Sequence, residues 1–142
     1  MLAASQAGMA FSNSSVALVH GMSRPIGAHF HVAHGLSNAM LLPKITEFSI
    51  NGNEQRYATC ARVMKWAVES DNDEIACSKL IKNLFILNKD LKVPSPRNLG
   101  HSVDHDLLKL MASQALASGS PENNPRVPTE NQIIQLYQEV WE

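Results

Sequence analysis

The chain has 142 residues, the length of one ordinary domain and enough for a real hydrophobic core. Hydrophobic residues make up 44% and charged residues 18%, which excludes a disordered tail. The net charge of -1, with basic residues scattered along the chain, gives no electrostatic reason to expect a nucleic acid or an acidic membrane as partner.

The first 19 residues carry no charge and are rich in Ala, Ser, Val, Met and Leu. A start without Lys or Arg argues against a secretory signal. Ser5, Gln6, Ser12, Asn13, Ser14 and Ser15 break the segment up, so no apolar run reaches the roughly 20 residues of a membrane helix. The expected location is therefore a reducing cytoplasm. Cys60 and Cys77, too few for a disulfide scaffold, read there as buried thiols. A segment with so little polar face is expected to be buried on most sides. Because termini are usually surface features, it also resembles the middle of something longer. Gly8 offers a division into two short helices.

Pro25 and Gly27 are expected to end the helix that carries His20, with a new helix starting near Ser37. Leu36, Ala39, Met40, Leu42 and Ile45 give that helix a broad apolar face, with Pro43 as a kink, and Asn51-Gly52 ends it. From Glu54 to Glu69, Tyr57, Ala61, Met64 and Val68 recur at helical spacing. Asp71 and Glu74 form a capping pair for the next helix, whose stripe is Ala76, Leu80, Leu84, Leu87 and Leu91. Val93 to Gly100 is a loop by composition. A helix from Asp104 to Ser118 turns Leu107, Leu108, Met111 and Ala115 inward. Ser120 to Pro128 is an irregular connection. Thr129, with Gln132 as its capping-box partner, opens a last helix whose apolar face is Ile133, Tyr137, Val140 and Trp141. No stretch alternates as a strand does. The expectation is an all-α helical bundle of about six helices, with Met9, Met22, Met40, Met64 and Met111 as core filler.

Four of the six histidines, His20, His29, His31 and His34, crowd into one segment with three Gly, one Pro and no carboxylate. Histidine is the commonest metal ligand and titrates near neutral pH. In one continuous helix His20 and His34 would stand about 21 Å apart, too far to share an ion. Pro25 and Gly27 let the chain turn between them, so both imidazoles can lie at neighbouring helix ends. Two imidazoles are an incomplete set, since stable sites use three or more protein ligands. Asp104 and Asp106 read as a solvated helix start. Ser12 to Ser15 lack an orienting base and read as helix packing, and no Gly-rich phosphate loop is present.

The pattern His20-Gly-Met-x-x-Pro-x-Gly, followed by His34-Gly-Leu-Ser-Asn-Ala-Met-Leu-Leu-Pro43, closely resembles the group III, iron-containing alcohol dehydrogenases. Ala7 to Asn13, the Gly119 to Pro128 segment and Leu136-Tyr137-x-x-x-Trp141 are similar to the same family, so the resemblance spans the chain. It implies a fold like the C-terminal helical domain of dehydroquinate synthase-like and iron-containing alcohol dehydrogenases. Residues 1–142 would form a single metal-binding domain, with the N-terminal nucleotide-binding domain absent. It maps two metal ligands onto His20 and His34, for Fe²⁺ with Zn²⁺ as an alternative. A further Asp and His would lie upstream. NAD or NADP would bind through the other half, so this chain holds no cofactor-binding residue. The implied function is interconversion of a small alcohol and its aldehyde or ketone by hydride transfer, with the isolated chain inactive. A homodimer, or association with a separate N-terminal half, follows as a partner expectation. Arg24 stands where many members carry a His near the nicotinamide; it could contact substrate or cofactor charge. His29 and His31 match no ligand and either line the cleft or pack. The competing expectations are a non-enzymatic helical interaction module and a small metal-binding protein using all four histidines.

Overall fold

A computed structural model describes all residues 1–142 and contains helices and no strand, so the all-α expectation holds. The seven helices are α1 (Leu2–Ser14), α2 (Leu18–Phe30), α3 (His34–Ile50), α4 (Glu54–Val63), α5 (Asp73–Asp90), α6 (His105–Ala117) and α7 (Glu130–Trp141). Short 3-10 turns occupy Arg97–Leu99 and Ser120–Asn123.

Two hydrophobic cores divide the work. In the larger one, Leu18, Met22 and Ile26 form an i, i+4, i+8 stripe on α2. They pack with Leu41 and Ile45 of α3, the α6 face around Met111, and Ile133, Tyr137 and Trp141 of α7. In the smaller one, α4 and α5 form a hairpin around Ala58, Ala61, Ala76, Cys77, Leu80 and Leu84. α3 links the two, packing against α2 and α7 on one side and α5 on the other.

The helix that carries His20 does not stop at Pro25 and Gly27. α2 runs through both to Phe30, at the loss of the one backbone bond that Pro25 cannot donate. Its end comes at His31, which adopts a left-handed φ of 56° and donates its backbone N–H to the Gly27 carbonyl at 3.0 Å. α3 accordingly begins at His34, earlier than Ser37, and passes through Pro43. Gly52 follows it where a Cβ would stand 2.4 Å from the Pro125 backbone, so only glycine allows that crossing.

α4 is shorter than expected. It closes at Val63 in a Schellman motif: Lys65 sits at φ 59° and donates to the Arg62 carbonyl, and the Trp66 N–H reaches back to Ala61. The buried residues of this hairpin arm are therefore Ala58, Ala61 and Ala67, while Met64 and Val68 are exposed. Asn72, not Asp71, caps α5, accepting from the Ile75 N–H at 2.8 Å. Asp71 instead accepts from the Val68 N–H and pairs with Lys79 at 2.6 Å. On α5 the inward stripe stops at Leu84, and Leu87 and Leu91 are exposed. Asp104 caps α6, and Thr129 with Gln132 makes the expected capping box on α7.

The apolar N-terminal segment departs furthest from expectation. It forms one helix through Gly8, and none of its residues is buried. No other helix of this chain lies along α1 to cover it. Its Leu2, Met9 and Phe11 are exposed, and Ser12 to Ser15 are exposed rather than packed. Met22, Met40 and Met111 are core residues, whereas Met9 and Met64 are not. Cys77 is buried, but Cys60 is exposed.

Candidate metal centre

His20 lies in the first turn of α2, and His34 is the first residue of α3. The reversal at His31 to Ala33 folds α3 back along α2, and the two imidazoles meet with ring centroids 5.2 Å apart at 54°. The chain does turn between them, though at His31, beyond the Pro25 and Gly27 that suggested it. His20 is half-buried and His34 is exposed, so the pair faces outward from the bundle.

Burial, the largest influence, together with the neighbouring His34 and Arg24 side chains holds the His20 imidazole below its ordinary pKa. A depressed imidazole is neutral at pH 7, and the neutral form is the one that donates a lone pair to a metal. The Asn38 amide lies 3.1 Å from His34 Nε2, one helical turn along α3. With the amide nitrogen donating, Nε2 accepts, and its lone pair is then engaged by Asn38 rather than free for a metal. The Asn38 Oδ1 is buried and has no hydrogen-bond partner. The spacing His34-x-x-x-Asn38 on one helix face is the signal that points to this residue, which sequence reasoning passed over.

Arg24 is one turn after His20 on α2, exposed, and joined to no carboxylate. Phe11 at the far end of α1 brings its ring to 6.5 Å from His20 and forms the opposite lip.

The other two clustered histidines are elsewhere. His29 Nε2 meets Gln114 Oε1 at 2.9 Å, tying α2 to α6, and His31 is the exposed left-handed residue that ends α2. The chain gathers no group of three or more His, Cys, Asp or Glu able to hold a metal ion. A four-histidine site is thereby excluded from this arrangement. Two imidazoles suit Fe²⁺ or Zn²⁺ as part of a ligand set, and any further donors would come from outside these residues.

The family model described as the C-terminal part of the Fe-containing alcohol dehydrogenase family matches residues 1–141. The chain belongs to that family. It is 36% identical to the lactaldehyde reductase of Escherichia coli K12 over 95% of its own length and 35% of the relative's. It is 30% identical to the 1,3-propanediol dehydrogenase of Klebsiella pneumoniae over 95% of this chain and 35% of that one. Among solved structures, an alcohol dehydrogenase from Oenococcus oeni superposes with a TM-score of 0.86 at 32% identity, over 94% of this chain and 35% of that one. A 1,3-propanediol oxidoreductase gives 0.87 at 30% identity with the same coverage. The chain thus spans about a third of the length of the relatives it matches. No helix in it is long and apolar enough to cross a membrane.

Proposed function

We propose that this chain is the metal- and substrate-binding helical domain of an iron-type, NAD(P)-dependent alcohol dehydrogenase. In company with a nucleotide-binding part, it would interconvert a small alcohol and its aldehyde or ketone. One observation carries the reading: in a member of this family, His20 and His34 converge to 5.2 Å from two different helices. These two imidazoles hold a divalent ion, Fe²⁺ or Zn²⁺, as two of its ligands. The ion, when bound, supplies Lewis-acid polarisation of the substrate oxygen, and NAD or NADP accepts or returns the hydride.

The work of the chain's own residues is positional. Pro25 lies within α2, and its lost backbone bond is tolerated because Met22 and Ile26 on either side are fully buried. This keeps His20 on a rigid element. Asn38 meets His34 at Nε2, and a hydrogen bond accepted there takes up that nitrogen's lone pair, so His34 ligates through Nε2 only on releasing Asn38. Phe11 stands 6.5 Å from the His20 ring and borders the approach to it.

Two imidazoles bind a divalent ion weakly, and the chain carries no nucleotide loop. The purified 142-residue chain is therefore expected to take up Fe²⁺ or Zn²⁺ with low affinity and to oxidise no alcohol with NAD(P). A dehydrogenase formed by mixing it with a nucleotide-binding portion of the same family would support the reading. Robust turnover by the chain alone would overturn it. The bare α1 favours a second reading, a helical interaction module with a partner over Leu2, Met9 and Phe11. A monodisperse monomer that binds no hydrophobic dye would count against that module.

A further inference from the structure

The histidine pair sits in an unusually positive setting. His20 lies in the first turn of α2 and His34 opens α3, so the positive ends of two helix dipoles converge on the face where the rings meet. Arg24 adds a permanent positive charge one turn along the same face of α2. Three of the chain's twelve Lys and Arg side chains have carboxylate partners, Lys44 with Glu47 and Glu139, Arg62 with Asp73, and Lys79 with Asp71; Arg24 is among the others, and it alone of these stands beside the histidine pair. Arg24 has neither an ion pair nor a hydrogen bond, and no Asp or Glu occurs in the chain before Glu47.

Arg24 lines an open hollow of about 590 Å³ between the end of α1 and α2. Its other walls are Phe11, Ser12, Asn13, Ser14, Ser15 and Val16, all neutral. Phe11 is shared between this hollow and the His20 ring, so the two spaces adjoin. A divalent ion on His20 and His34 would raise the local charge further. A single carboxylate ligand from outside these residues would offset only part of it. Neutral hydroxyl and amide walls beside an unpaired guanidinium suit an oxyanion, which a guanidinium binds through two parallel hydrogen bonds.

Resting on the metal-site reading above, we infer that Arg24 makes this centre select alcohols or aldehydes that carry an oxyanion, a carboxylate or a phosphate, at the end remote from the reacting carbon. The hydroxyl or carbonyl end lies toward His20 and His34. The charged end lies in the hollow beside Arg24, with Ser12 and Asn13 able to donate to it.

The test is a Co²⁺ titration of the 142-residue chain, followed by its visible absorption, with and without small ligands. The probes are 3-hydroxypropanoate, glycerol 3-phosphate, 2′,5′-ADP and the neutral propane-1,3-diol. Either of the first two anions is expected to tighten Co²⁺ binding about tenfold, and the diol to leave it unchanged. In R24Q and R24M, both at an exposed position that leaves the core intact, the tightening disappears. The response to 3-hydroxypropanoate or to glycerol 3-phosphate tells which oxyanion is preferred. If the anions act equally on R24Q, they bind the metal alone and the inference is overturned. It is equally overturned if neither anion has an effect on the wild type while Co²⁺ binding is lost in H20A. An Arg24-dependent effect confined to 2′,5′-ADP would assign Arg24 to cofactor phosphate and likewise overturn it. Co²⁺ binding that survives in H20A and H34A would instead bring down the metal-site reading itself, and the substrate inference with it.

Discussion

Tyr137 is the largest fully buried side chain, and its hydroxyl donates to the Met22 carbonyl at 2.7 Å. Burial pushes its phenol pKa upward, so it stays a neutral donor at any physiological pH. This bond staples α7 to the middle of α2, two residues after His20. Tyr137→Phe is expected to destabilise the fold by about 1 kcal/mol, read as a lower denaturation midpoint with unchanged slope. At the residue scale the sequence was informative where chemistry clusters: His20 and His34 stood out by type and spacing, and the structure brings them together. It was uninformative where a role depends on what lies across a helix turn. Asn38 carries an ordinary polar side chain, and only its contact with His34 distinguishes it. His29 and His31 look like their neighbours in sequence, yet one bonds to Gln114 on α6 and the other ends a helix.

Among elements, the starts were easier to read than the ends. Thr129 with Gln132 and Asp104 were legible because capping side chains are specific residue types at fixed offsets. The ends of α2, α4 and α5 each use a non-glycine residue in the left-handed region: His31, Lys65 and Lys92. No glycine or proline marks these positions, so the true ends carry no stop signal, while Pro25 and Gly27 offer a false one inside α2. The same observation makes a prediction. Lys65→Gly removes a Cβ from a conformation that costs an L residue roughly 1 kcal/mol, and should raise the melting temperature. An unchanged or lower melting temperature would mean that Lys65 relaxes out of the left-handed region. The Asp71 switch has a pH signature. The Lys79 ammonium and the Val68 N–H hold its carboxyl below the usual range, so its stabilising effect is present above about pH 4 and fades as pH falls through the lowered value. Asp71→Asn should therefore lower the melting temperature at pH 7, with the gap to wild type closing toward pH 2.

For the whole molecule, composition and helical periodicity were enough to establish an all-α fold, because the core of α2, α6 and α7 is built from regular apolar stripes. They failed for α1. An uncharged, apolar segment reads as interior, and whether it is interior depends on a covering surface that no local pattern encodes. The metal centre shares that property. The proposed centre joins two imidazoles on a positive face, and no third His, Cys, Asp or Glu gathers beside them, so under that reading a further donor would come from outside these residues. The central claim is that His20 and His34, and no other histidines, take the metal. Long-range ¹H–¹⁵N imidazole spectra of the chain titrated with Zn²⁺ test this most directly, since each ring reports its own metal contact. Large nitrogen shifts are expected at His20 and His34, with His29, His31, His101 and His105 unmoved. Shifts centred on His29 and His31, or none at His20 and His34 at saturating Zn²⁺, would contradict it.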